Sequence, residues 1–167
     1  MKYIVAAAGL ALLISGSAQA ATGSTASTTG TANATVVAPL QIQHTSGAAL
    51  NFGTFTAGLG GTVTVDSAGT GTAGSDVSFV NGNTNSADAF TVTGSGTRTF
   101  NITTSTGDTV STGGPSPSTM AFTVSAPEDA SLVSGSYTLN VGGELTVGSA
   151  QAAGSYTGSY TVTVTYQ

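Results

Sequence analysis

The chain has 167 residues, a net charge of −5 from two basic and seven acidic side chains, 24 glycines, and neither cysteine nor tryptophan. Lack of cysteine excludes a disulfide scaffold, a thiolate metal site and a cysteine nucleophile. The lack of a Lys/Arg patch excludes a nucleic-acid binder, because nothing neutralises phosphate.

Lys2, the apolar run 4–14 and the small residues up to Ala20 read as a secretory signal peptide cleaved after Ala20. That run is too short to cross about 30 Å of hydrocarbon, and no later stretch is apolar enough to span a membrane as a helix. The expected route is bacterial export to the periplasm, then to the cell surface or medium. Residues 21–33 are Ala, Thr, Ser, Gly and Asn, a flexible low-complexity extension. Residues 34–167 are expected to form a single domain.

From there the sequence alternates with period two in short runs rich in Thr and Val, residues that suit a pleated surface. The predicted strands are 34–43, 50–55, 61–66, 76–80, 87–93, 97–103, 119–125, 136–141, 144–148 and 156–166. Pro39 places the first at an edge or a bend. Glycine- and asparagine-containing turns punctuate the runs, and Gly142–Gly143 between two alternating segments predicts a hairpin. Short strands at this spacing predict an all-β sandwich or small barrel, and one apolar and one hydroxyl face per strand predict antiparallel sheets; the expected fold is an antiparallel immunoglobulin-like or pilin-like sandwich.

Side chains capable of chemistry are scattered. His44 stands without a local partner and reads as a polar residue at a strand end. Asp66, Asp76, Asp88 and Asp108 fall in or beside turns and read as solvated turn residues. Glu128 and Asp129 are neighbours and point to opposite faces of a strand. Arg98 reads as a solvated face residue. No aspartate-rich calcium loop is present, and no residue set fills two catalytic roles. The expectation is a non-enzymatic protein with no catalytic residue, cofactor or metal.

The C-terminal segment alternates without a break. Gly154, Tyr156, Gly158, Tyr160, Val162, Val164 and Tyr166 share one face, and hydroxyl and amide residues share the other. This segment, with its penultimate Tyr166, resembles the last strand of chaperone–usher pilus subunits. Residues 34–42, ATVVAPLQI, resemble a pilin N-terminal strand, with Leu40 where a cysteine commonly stands. Together with LNFGTF at 50–55, these segments also resemble the domain of unknown function 4402 family of small secreted bacterial proteins. The pilin resemblance implies a pilin-like fimbrial subunit that assembles by β-strand addition. Gly154, Tyr156, Tyr160, Val162, Val164 and Tyr166 would form the assembly and chaperone-binding strand. Ala26, Thr28, Gly30, Ala32 and Ala34 would lie on the donor strand. Its partners would be copies of itself or related subunits, a periplasmic chaperone and an outer-membrane usher. The open alternative is a self-contained secreted β-sandwich that serves as an adhesin or binding module.

Overall fold

The computed structural model describes Gly23, Thr25 and residues 27–167. The signal segment 1–20 and Ala26 therefore lie outside the described residues. The chain divides into two units, Met1–Thr35 and Val36–Gln167. The described residues of the first carry no strand or helix.

The second unit is all-β and its strand pairs are antiparallel. The strands are β1 (Gln41–His44), β2 (Phe55–Thr56), β3 (Gly61–Val65), β4 (Gly71–Ser75), β5 (Ser78–Phe79), β6 (Asp88–Thr93) and β7 (Thr99–Thr104). They continue with β8 (Asp108–Ser111), β9 (Thr119–Ser125), β10 (Asp129–Ser131), β11 (Ser136–Val147), β12 (Thr157–Gly158) and β13 (Val162–Tyr166). The largest sheet runs β1-β6-β11-β9-β8-β12, with β3 on β11 and β4 on β3. A second sheet has the order β10-β7-β13, and β2 pairs with β5.

Residues 142–143 make no hairpin. The two runs around them are one 12-residue strand, whose first half pairs with β6 and whose second half lies between β9 and β3. Each glycine here is required by backbone approach. A Cβ on Gly142 would strike the Val65 carbonyl, and one on Gly143 the Thr123 carbonyl. Parity survives the whole strand, so Leu139, Val141, Leu145 and Val147 all point inward.

Other expectations shift at identifiable residues. The first strand is shortened to Gln41–His44, because Pro39 donates no backbone hydrogen bond. The run at 50–55 survives only as the Asn51–Ser86 bridge and β2, interrupted at Gly53 with φ +81°. The final run breaks into β12 and β13 around residues 159–161. Strands β4, β8 and β10 occur where no strand was expected, in segments with few large apolar side chains.

Two apolar clusters result. One joins Val92, Leu139 and Val141 of the large sheet to Phe100 and Ile102 of the second sheet, with Leu132. The other contains Phe52, Val63, Val65, Val77, Met120, Phe122, Leu145 and Val147. Val124 and Tyr160 pack against both.

Candidate functional site

The inner faces of β8, β9 and β11 carry Val110, Met120, Phe122 and Leu145, which floor a cavity of about 1120 Å³. One wall is residues 48–57. An asparagine-rich turn holds this extended segment from outside. Asn83 Oδ1 accepts from Thr54 N–H at 2.6 Å, Asn85 Nδ2 donates to the Phe52 carbonyl at 2.7 Å, and Ser86 Oγ donates to the Ala49 carbonyl at 2.7 Å. A Cβ on Gly53 would overlap the Asn83 amide, so glycine is needed where the turn clasps the wall. Leu50, Phe52 and Phe55 thereby face the cavity.

The opposite wall is residues 151–160. Tyr156 O–H donates to the Ala152 carbonyl at 2.7 Å and accepts from Gln151 Nε2 at 2.9 Å, which closes a small loop. Thr157 and Gly158 pair with Ser111 and Val110. Each wall thus has its outer edge bonded and presents apolar side chains across the gap.

A polar triplet closes the end of the cavity nearest the second sheet. Asp88, 6% exposed, places Oδ1 2.7 Å from His44 Nε2 and accepts the Tyr160 hydroxyl on Oδ2 at 2.7 Å. Ala89 N–H also donates to Oδ1. The Tyr160 ring stands edge-on to Phe90 and to Phe122, each at 6.3 Å between centroids. Burial, then the bond to Asp88 and its negative charge, raise the Tyr160 pKa well above the usual tyrosine range, so the phenol remains a donor. Both carboxylate oxygens are engaged in holding neighbours, which suits a tie between elements. Among the described residues no three His, Asp or Glu side chains converge as a metal-binding set.

The expectations for Asp88 and His44 are corrected here. Asp88 is buried in a strand rather than solvated in a turn, and His44 has a partner 44 positions away. Parity carried the signal. Asp88 shares a face with Phe90 and Val92 and points inward, and His44, on the Ile42 face, reaches it from a half-exposed position.

The predicted assembly strand divides between two places. Gly154, Tyr156 and Tyr160 line the cavity. Val162, Val164 and Tyr166 are half-buried against the other cluster. Tyr166 O–H accepts from Ser95 N–H at 2.7 Å and donates to the Ala38 carbonyl at 3.1 Å. Ser105 N–H donates to the Thr161 carbonyl, and Gln167 N–H to the Thr99 carbonyl. Antiparallel ladders alternate bonded and non-bonded pairs. Odd residues from Thr161 to Gln167 therefore bond β7, while Val162, Val164 and Tyr166 direct N–H and C=O to the outer edge. Among the described residues no strand pairs with that edge. Of the predicted donor residues, Thr28, Gly30, Ala32 and Ala34 are exposed and lie outside any strand. Arg98 is exposed between β6 and β7.

No helix among the described residues is long and apolar enough to cross a membrane. A family model described as a domain of unknown function, DUF4402, matches residues 40–166. No curated protein and no solved structure gives a match.

Proposed function

The chain belongs to the DUF4402 family, and we propose that it is a non-enzymatic bacterial surface subunit, a pilin-like sandwich that assembles by β-strand addition. The observation that carries this reading is the outer edge of β13, with unpaired backbone groups beside half-buried Val162, Val164 and Tyr166. β1 approaches β13 without pairing it, and an unpaired edge over partly covered apolar side chains is a template for another strand. The cavity at 154–160 extends the same segment, so one added strand would meet Tyr156, Tyr160, Val162, Val164 and Tyr166 in succession.

Val36 is 95% exposed, and the following residues reach the Tyr166 end of β13 through the Ala38 carbonyl. From Tyr160 to Tyr166 is about 20 Å of extended chain at 3.3 Å per residue. Head-to-tail addition that does not close gives a filament. In this reading the leader directs export, residues 26–34 are the donor, and a chaperone and usher handle the subunit in the periplasm. The aromatic lining of the cavity also favours a second reading, a self-contained adhesin or binding module whose ligand occupies it.

Size-exclusion chromatography and unboiled SDS gels of residues 21–167 separate the two readings. Strand addition gives a ladder that collapses on boiling and disappears when residues 21–32 are deleted. A cooperative monomer indifferent to that deletion would overturn the assembly reading.

A further inference from the structure

The triplet His44, Asp88 and Tyr160 draws on elements of different sheets. His44 ends β1, Asp88 begins β6, and Tyr160 stands just before β13. The Tyr160–Asp88 bond ties the segment before β13 to β6, and half-exposed His44 reaches the same carboxylate from β1, the strand paired with β6. The adjoining residue is also tied down. Thr161 N–H donates to Ser105 Oγ at 2.9 Å, and Ser105 O–H donates to Asp108 Oδ2 at 2.7 Å. Two carboxylates, Asp88 and Asp108, thus hold the junction between the cavity wall and the open strand. Tyr160 packs against both clusters and separates the cavity from the half-buried face of β13. An added strand that used the whole of 154–166 would have to pass this point.

We propose that Tyr160, held by Asp88 and His44, is a latch that keeps the strand-accepting groove divided until an incoming strand displaces it. The inference rests on the strand-addition reading. Without the hydroxyl–carboxylate bond the ring keeps its two aromatic neighbours but loses its fixed direction, and the two halves of the groove become one. The latch keeps the unpartnered subunit closed, and so acts on the rate of strand capture more than on the fold.

The test is the rate at which protein lacking residues 21–32 captures a fluorescein-labelled peptide of residues 21–36, followed by anisotropy well below the melting temperature. The variants are Tyr160→Phe, Asp88→Asn and, as a half-exposed change that spares the core, His44→Gln. Val63→Ala, a destabilising change on β3 away from the cavity lining and from β13, controls for general loosening. Tyr160→Phe and Asp88→Asn are expected to capture the peptide at least tenfold faster than the parent, His44→Gln a few-fold faster, and Val63→Ala at the parental rate. Equal rates in the parent and the three latch variants would overturn the latch and leave strand addition standing. Acceleration by Val63→Ala to the same degree would also overturn it, because simple destabilisation would then suffice. Capture by no protein at all would overturn the strand-addition reading and the latch with it.

Discussion

The two apolar clusters are built on the same strand, β11, yet only one of them is filled. Around Leu139, regular strands face each other from both sheets, and Phe100, Val92 and Val141 are fully enclosed. Around Leu145 the floor is just as buried, but the facing wall consists of two irregular segments, 48–57 and 151–160, with a cavity between them. Period-two side chains on two opposed sheets interdigitate. Segments clasped by asparagine side chains and short turns lack that regularity, and space remains. The open half is where the triplet sits, where β13 begins and where the sequence placed the start of its assembly strand.

Three measurements would break or sharpen this contrast. The largest effect is expected from paired truncations of equivalent leucines. Leu139→Ala should cost about 4–5 kcal/mol, near the upper end for buried leucines, because it opens a void in a filled core. Leu145→Ala should cost about 2–3 kcal/mol, because that side chain already borders a cavity. Guanidinium unfolding of both variants checks this, and equal costs would mean that the two halves are packed alike. Next is Gly142→Ala, where the added Cβ meets the Val65 carbonyl. A loss of about 1–3 kcal/mol is expected, as for overpacking elsewhere. A tolerated alanine would mean that β3 and β11 approach less closely than described.

The smallest effect is a pH dependence. Tyr160 has a raised pKa in the folded protein, through burial and Asp88. Its contribution to stability is therefore fully present below the unfolded tyrosine pKa of about 10 and is lost as pH rises above it. Between pH 8 and 11 the melting temperature should fall more steeply for the parent than for Tyr160→Phe, which has no phenol to ionise. Parallel slopes would show that the hydroxyl is not held as described.

Much of this was legible from parity alone. Val63 and Val65, Phe100 and Ile102, and Met120 and Phe122 are inward-facing pairs read directly from alternation, and all are buried. The same rule placed Asp88 on the Phe90 face, but a lone acid beside a turn drew the local reading, and a partner on β1 cannot be inferred from neighbours in the chain. Strand β4, GTAGS, was illegible because it has no large side chain to alternate. Its place is secured by the ladder to β3. The pair Gly142–Gly143 reads as a turn in isolation and in fact lies inside β11, where the strand passes from its pairing with β6 to its place between β9 and β3.

By itself, the sequence determined that residues 36–167 are all-β, which large apolar side chains of each predicted run turn inward, and that the final residues alternate with one apolar face. Tertiary structure alone decided that β11 runs unbroken through two glycines, that the last strand is split at Tyr160, and that His44 and Tyr160 meet on one buried carboxylate. The physical reason is that period-two alternation selects a face for each side chain, whereas every strand offers the same backbone hydrogen bonds. Which strands pair, and where a layer fails to close, follows only from how all of them pack together.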